Sequence, residues 1–186
     1  MAFTIAIGVT AGIVIYKKKK TAGTVFNVLN VIQTIPALAL LVLLLPIFGL
    51  GPLPTIVASV LYSILPVARN TYAGLSSISQ DYIETGRAIG LSDTEILLKI
   101  RIPLALPMIA GGIRIAIVFT MGVITLGGLI AAGGLGAPLQ TGIHLYNKPL
   151  ILLTGLWVGI LALILDGIGA LAEKLLTKKY SYGNHQ

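Results

Sequence analysis

The sequence contains no cysteine and only two histidines, and these scarcities remove several kinds of site. Without cysteine there can be no disulfide framework and no thiolate metal site. His144 and His185 lie far apart, without carboxylates at ligand spacing, so they indicate solvated loop or tail residues and no metal site. The chain also lacks a phosphate-cradling GxxxxGK[ST] loop and a nucleophile–base pair. We therefore expect no metal centre and no enzyme active site.

Charged residues are also scarce, at 10% of the chain, whereas hydrophobic residues make up 56%. A soluble domain carries about a quarter charged residues, and one globular core could not enclose this much apolar surface. The composition therefore predicts an all-α integral membrane protein, in which each span requires about 20 apolar residues. Five apolar stretches are candidate spans, covering residues 2–16, 25–48, 54–72, 104–131 and 150–171.

The basic residues predict the orientation of these spans. If residues 76–103 lie in the cytoplasm, eleven of the thirteen Lys and Arg residues fall on or near that side. Only Lys148 then lies outside, and Arg114 lies within a span. Such an excess of inner positive charge predicts an amino terminus outside and a carboxyl terminus inside. The net charge of +7 is explained by this distribution of basic residues across the membrane, so no nucleic-acid partner is expected.

The first apolar stretch, of about fifteen residues, is short for a crossing of the bilayer. Its basic residues follow the apolar run, whereas those of a signal peptide precede it. We expect a truncated first span, with the natural start upstream of Met1 or a start codon assigned too late. The five spans are expected to form one transmembrane domain over residues 1–186.

A polar segment, DYIETGRAIGLSDTEILLKIRIPLALP (residues 81–107), separates the third and fourth candidate spans and holds four of the six acidic residues. Ser79 is placed to cap a short helix, Gly90 interrupts it, and the run from Ser92 to Glu95 fits a capping box for a second helix. Pro103 and Pro107 are expected to bend the chain towards the fourth span.

This pattern predicts a compact projection of two short helices that meet at a glycine corner. Arg87, Lys99 and Arg101 are interleaved with the acidic residues, and an apolar stripe runs beside them. Mixed charge with an apolar stripe favours docking into a groove of another protein. The alternative is a helix that lies on the bilayer, which would require a mainly basic polar face.

The spacing within this segment resembles the coupling loop of ABC importer permeases. The family pattern is Glu-Ala-Ala, three residues, Gly, nine residues and Ile-x-Leu-Pro. Glu84, Gly90, Ile100 and Pro103 stand at the matching positions. Thr85 and Gly86 replace the two alanines and Ile102 replaces the leucine; Gly86 should loosen the first helix by up to about 1 kcal/mol relative to alanine.

Other stretches are similar to the quaternary-amine branch of that family, whose importers carry glycine betaine, proline betaine, carnitine or choline. They are NVIQTIPALALLVLLLPIFGLG (30–51), LPVARNTYAGL (65–75) and the glycine-rich run from Ile124 to Gly136. The resemblance implies a five-span, type I ABC importer permease in a bacterial or archaeal cell membrane. An amino-acid-like solute is the alternative cargo.

The resemblance also implies the partners. Two permease subunits pair, an external binding protein delivers the substrate, and each coupling loop sits in a cleft of a cytoplasmic ATPase, which binds the ATP and Mg. This chain itself is expected to bind no cofactor. Within its loop, Glu84 and Arg87 are implied at docking positions, Gly86 in the first helix and Gly90 at the corner, while Ile100, Pro103 and Pro107 fix the second helix to the fourth span.

Two further groups of residues have open interpretations. Arg114 and Asp166 both lie about 15 Å from the cytoplasmic side, so they could pair or face the pathway together, or each could lie nearer the interface and extend to water independently. Gly133, Gly134 and Gly136 fit either a gate or close helix packing. Pro36, Pro46 and Pro66 could break the spans or only kink them.

Two other classes share this hydropathy. A channel or secondary transporter would more often show internal repeats or a row of intramembrane ionisable groups, and the sequence shows no convincing repeat. A purely structural membrane subunit would show no dependence on ATP. Co-purification with an ATPase that hydrolyses ATP distinguishes the importer from both.

Overall fold

The computed structural model describes residues 1–18, 20 and 22–180, and the described part contains helices and no strand. The α-helices in chain order are α1 Ala2–Lys17, α2 Ala22–Thr34, α3 Ala37–Phe48, α4 Pro52–Ser76, α5 Gln80–Ala88, α6 Asp93–Ile96, α7 Ile102–Gly127, α8 Gly136–His144 and α9 Lys148–Tyr180. A π-helical turn (Leu97–Arg101) joins α6 to α7, and a 3-10 turn (Gly128–Ile130) follows α7.

Among the described residues, three helical segments are long and apolar enough to cross a membrane: Pro52–Ser76, Asp93–Ile130 and Lys148–Tyr180. The bent pair α2 and α3 could supply a fourth crossing. Helix α1 has only 16 residues, which is short for a crossing, as its sequence predicts. The coarse prediction of an all-helical membrane protein is confirmed.

Helices α4 and α7 form the centre of the bundle. The Ser63 side chain of α4 is fully buried, lies 2.9 Å from the Thr120 hydroxyl of α7 and donates to the Ala116 carbonyl at 3.2 Å. Gly112 of α7 allows a close approach, since a Cβ there would lie 2.8 Å from the Pro66 carbonyl oxygen. Small and hydroxylated residues commonly hold membrane helices together in this way.

Helix α1 lies against α4 through a stripe of buried residues at helical spacing: Thr4, Gly8, Gly12 and Ile15. A Cβ on Gly8 would lie 2.6 Å from the Val67 Cβ, and one on Gly12 would lie 2.5 Å from the Thr71 Cβ. The two backbones can approach this closely only because both positions lack a side chain. Short as it is, α1 is therefore a packed part of the core.

The second predicted span, residues 25–48, is broken in the structure. Helices α2 and α3 meet at 92°, at a break that includes Pro36. Proline lacks an N–H and disfavours helical geometry in the residue before it, here Ile35. The Tyr62 hydroxyl of α4 donates to the Ile35 carbonyl, which the break leaves without a helical partner. Pro36 therefore separates two helices and does not merely kink one.

Pro66 lies inside α4, which continues through it. Because Pro66 has no N–H, the Tyr62 carbonyl four residues earlier has no helical donor. Gln33 Nε2 of α2 donates to that carbonyl at 2.7 Å. The two carbonyls that lack a helical donor, those of Ile35 and Tyr62, thus accept hydrogen bonds from the Tyr62 and Gln33 side chains. These two bonds connect the α2–α3 segment to α4. Pro46 likewise lies within α3 without ending it.

Candidate functional site

The polar segment forms two helices separated by a glycine corner. Ser79 caps α5 by accepting a hydrogen bond from the Asp81 N–H at 3.3 Å. At the other end, the Gly90 N–H donates to the Arg87 carbonyl and the Leu91 N–H to the Gly86 carbonyl, each at 3.0 Å. This pair of bonds is a Schellman motif, and Gly90 supplies the positive φ of 87° that the motif requires.

Helix α6 begins with the capping box that its sequence predicts. The Glu95 N–H donates to Ser92 Oγ at 3.3 Å, and the Ser92 N–H donates to Glu95 Oε2 at 3.1 Å. Lys99 Nζ donates to Glu95 Oε1 at 2.8 Å. The hydrogen bond from Lys99, together with those from Ser92, lowers the pKa of the Glu95 carboxyl to about 2. Glu95 is therefore ionised at physiological pH and fixes the start of this helix.

From α6 the chain continues without a break into α7. The π turn closes with the Ile102 N–H bonded to the Leu97 carbonyl, and Pro103 then occupies the first turn of α7, where its missing N–H is tolerated. Pro107 lies inside the same helix. Neither proline interrupts the helix, which runs from Asp93 to Ile130 over 38 residues.

The inner face of α5 packs across the start of this long helix. Ile83, Gly86 and Ile96 are buried, and a Cβ on Gly86 would lie 2.8 Å from Ile100 Cδ1. That methyl group is the flexible end of a side chain, so the alanine of the family pattern could fit after a small shift of Ile100. Gly86 thus serves close packing between the two helices.

The outer face of α5 carries the exposed charges. Arg87 Nη2 lies 3.1 Å from Asp93 Oδ1, so this ion pair spans the glycine corner. Glu84 is exposed, and in the described part of the chain it forms no ion pair with Arg87. The pairing of Glu84 with Arg87 that its i,i+3 spacing allowed is therefore absent, and the Glu84 carboxylate is accessible.

The loop is fastened to the bundle by Arg101. Its Nη1 donates to the Leu75 carbonyl at the end of α4 at 2.8 Å, and its guanidinium lies 5.1 Å from the centre of the Tyr16 ring of α1. Leu97 is buried with Leu75 and other core residues. A displacement of this loop would therefore reach α1, α4 and α7 together.

A second cluster of charges lies between α7 and α9. Arg114 Nε donates to Asp166 Oδ1 at 2.6 Å and Nη2 donates to Oδ2 at 2.7 Å, which makes a bidentate pair. Arg114 Nη1 also lies 3.4 Å from Glu173 Oε2, seven residues further along α9. Gly169 leaves room for the Arg114 side chain and Gly111 leaves room for the Glu173 carboxylate.

The glycine-rich loop after α7 folds back on itself. Gly133 and Gly134 have φ values of 78° and 65°, a region of backbone conformation that favours glycine. Gly136 begins α8, and its backbone lies directly against Gly128 at the end of α7. Gly51, just before α4, donates its N–H to the Ile130 carbonyl at 2.9 Å. This loop therefore closes the end of the bundle opposite to α5.

A family comparison decides what kind of protein carries these features. The model of the binding-protein-dependent transport system inner membrane component matches residues 4–179. The chain belongs to this family. It is a multi-pass membrane permease of an ABC importer and not itself the ATPase.

Curated relatives cover most of this permease. It is 39% identical to the choline transport system permease protein OpuBB of Bacillus subtilis over 93% of this chain and 80% of that protein. It is 38% identical to the glycine betaine/carnitine/choline transport system permease protein OpuCB of the same organism, over 94% and 81%. It is also 38% identical to the osmoprotectant import permease protein OsmW of Salmonella typhimurium, over 96% and 86%.

Solved structures agree with the family. A chain from the inward-facing conformations of the MetNI methionine ABC transporter is 26% identical to this permease, with a TM-score of 0.83, over 94% of this chain and 88% of that chain.

Several residues that shape these sites were not singled out from the sequence. Glu173 follows Asp166 by seven residues, so a search for carboxylates on one helix face could have found it. Gly8 and Gly12 form a small-xxx-small pattern that was equally readable. In the described residues no group of three or more His, Cys, Asp or Glu side chains could hold a metal ion. His144 ends α8, and His185 lies outside the described residues.

Proposed function

We propose that this permease forms the translocation pathway for a small quaternary-amine osmoprotectant, such as glycine betaine, carnitine, choline or proline betaine. The observation that carries the proposal is its similarity, over more than nine-tenths of its length, to permeases named for choline, glycine betaine and carnitine transport. The aromatic cages that recognise quaternary ammonium groups would belong to the external binding protein.

We infer that the working importer contains this permease, a second permease subunit, a cytoplasmic ATPase that binds ATP and Mg, and an external binding protein. The family description names a binding-protein-dependent system, which supports the external partner. Transport of a solute against its gradient requires an energy source, and the proposed loop is the part of this chain suited to receive it.

We further propose five crossings, with the amino terminus outside and the loop from residue 76 to 103 inside. Helix α1, the pair α2 and α3, α4, α7 and α9 would each make one crossing. The contacts support this arrangement, because Gly51 meets Ile130 at one end of the bundle, whereas Arg101 meets Leu75 at the other. Arg101 and the basic residues near Lys17 then lie at the same, inner end.

The α5 and α6 projection is proposed as the coupling loop. Glu84 and Arg87 would face the ATPase on the exposed side of α5, and Gly86, Ile100 and Gly90 would hold the two helices in a fixed relative position. Pro103 and Pro107 continue that fixed geometry into the span. Because Arg101 fastens the loop to α4, closure of the ATPase would move the bundle as a unit.

An uptake measurement tests the substrate proposal. The importer, assembled with its ATPase and binding protein in proteoliposomes, is expected to accumulate labelled glycine betaine or choline only when ATP is supplied. Methionine is the informative competitor, since the fold is shared with the MetNI methionine transporter. If methionine accumulates and no quaternary amine does, the substrate is an amino-acid-like solute. If the solute accumulates without ATP, the protein does not work as an ATP-driven importer.

Gly90→Val is expected to reduce uptake at least 10-fold while ATP hydrolysis continues. A Cβ at this position would meet no atom within 4 Å, so the effect comes from the backbone, whose φ of 87° a β-branched residue rarely adopts. The measurement is the ratio of solute transported to ATP hydrolysed in proteoliposomes. Forcing the residue out of this region changes the angle between α5 and α6, and with it the surface that would dock on the ATPase.

Two controls accompany Gly90→Val. Ala88→Val places the same side chain on the exposed last residue of α5 and should leave the ratio nearly unchanged. Gly90→Asn adds a larger side chain that tolerates positive φ, so it should retain most coupling. A Gly90→Val importer with the normal ratio would show that the corner does not transmit work.

A further inference from the structure

The charge cluster between α7 and α9 carries more negative than positive charge. Arg114 commits two of its nitrogens to Asp166 at 2.6 and 2.7 Å, whereas its contact with Glu173 is longer, at 3.4 Å. Lys174 and Lys178 line an adjacent hollow with Glu173, yet neither forms an ion pair with it in the described part of the chain. The Glu173 carboxylate is therefore the more loosely paired of the two, and a second cation could approach it.

A cavity of about 440 Å³ opens at this cluster. Its polar side is formed by Asn70, Arg114, Asp166 and Glu173, and its apolar side includes Val118 and Phe119. Gly111 also lines the cavity, and a Cβ at this position would lie 3.2 Å from Glu173 Oε1. Its lining thus combines two carboxylates and one guanidinium with one aromatic ring.

That combination suits one chemical class. A quaternary ammonium group cannot donate hydrogen bonds, so proteins hold it through a countercharge and through aromatic faces. Glu173 supplies the countercharge and Phe119 the aromatic face. Where the solute also carries a carboxylate, Arg114 Nη1 is the available donor, because its contact with Glu173 is the longest in the cluster.

The hollow also continues along the bundle. A second, largely apolar cavity of about 600 Å³ shares Val118 and Phe119 with the first and extends along α7 to Leu126. Since α7 rises about 1.5 Å per residue, the stretch from Gly111 to Leu126 covers about 22 Å. A solute that moves along the seam between α7 and α9 would meet the charge cluster towards its inner end.

We propose that this cavity is a contact site for the ammonium group of the solute during its passage, with Glu173 as countercharge and Phe119 as the facing wall. The proposal rests on the proposed function, because it takes the solute to be a quaternary amine. It assigns direct solute contact to the permease, in addition to capture by the binding protein.

Saturation-transfer NMR tests the site. The probes are choline and glycine betaine, observed through their N-methyl protons, with the permease–ATPase complex in maltoside micelles and without its binding protein. Both probes should receive saturation from the wild-type complex, and 3,3-dimethylbutan-1-ol, the neutral isostere of choline, should receive at least 5-fold less. Glu173→Gln should lower the choline signal at least 5-fold, whereas Asp81→Asn, which removes an exposed acid from α5, should leave it unchanged.

The outcomes separate the possibilities. Equal signals for choline and its neutral isostere, or an unchanged signal in Glu173→Gln, would overturn the site. Since Glu173 makes the weakest contact of the cluster, this variant should fold, and an unchanged thermal unfolding profile checks it. Loss of the choline signal on adding phosphatidylcholine would assign the cavity to a lipid headgroup and overturn solute contact. Normal uptake of quaternary amines without any saturation transfer refutes the site alone; absence of such uptake refutes the proposed function.

Discussion

Gly128→Ala is expected to destabilise the permease by about 3 kcal/mol or more, at the upper end of what overpacking costs. A Cβ on Gly128 would lie 2.1 Å from the Gly136 carbonyl carbon and 2.3 Å from its oxygen, so two stretches of backbone must separate. No side chain can rotate away to relieve this contact. The check is the free energy of unfolding from a denaturing-detergent titration in mixed micelles, together with protease cleavage of the loop between α7 and α8.

Gly122→Ala is the matched control, because it makes the same change in the same continuous helical segment, Asp93–Ile130. A Cβ there would meet no atom within 4 Å, so the helix propensity of alanine should stabilise the protein by up to about 1 kcal/mol. Opposite signs for the two variants would show that the contact between Gly128 and Gly136 holds the loop closed. Equal effects of the two variants on stability would mean that the loop accommodates a methyl group at Gly128 and does not depend on its close contact with Gly136.

Gly12→Ala is expected to lower the free energy of unfolding by about 2 kcal/mol, since backbone and β-carbon atoms must move apart. The added Cβ would lie 2.5 Å from the Thr71 Cβ and 2.8 Å from the Ala68 carbonyl oxygen. Separation of α1 from α4 should also release the Tyr16 ring from Arg101, so uptake should fall with stability. The detergent titration and the uptake assay measure both effects.

Gly155→Ala in α9 provides the comparison for Gly12→Ala. It lies in an apolar helix as well, but its added Cβ would meet nothing within 4 Å. If Gly12→Ala were as stable as Gly155→Ala, α1 would not be packed against α4 and could be removed without loss of the core. A destabilised Gly12→Ala protein beside an unaffected Gly155→Ala protein supports the close packing.

Local rules predicted the polar loop well. Its caps at Ser79 and Ser92 and the corner at Gly90 depend on hydrogen bonds between residues close in sequence. The sequence alone is therefore enough to predict them. The effect of proline was harder to predict. Pro36 breaks its span, while Pro66 and Pro107 do not, because the outcome depends on packing against neighbouring helices and not on the proline alone.

Contacts between distant helices could not be predicted in the same way. The pairing of Arg114 with Asp166 remained one of two possibilities, because depth in the membrane does not determine which helices are neighbours. Glu173 lies beyond the predicted span 150–171 and beside Lys174, so its contact with Arg114 depends on helix packing that the sequence does not show. The closeness of Gly128 and Gly136 depends on how the chain returns after Ala131, whose positive φ the sequence does not suggest.

The uninterrupted helix from Asp93 to Ile130 has a geometric consequence. With 38 residues it is about 57 Å long, and it connects α6 at one end to the glycine-rich loop at the other without a break. If the helix pivots by about 5° at its α6 end, the end at the glycine-rich loop moves by about 5 Å, roughly the width of a small solute. Under the proposed topology, a tilt imposed at α6 would therefore reach the opposite end of the bundle through one continuous helix.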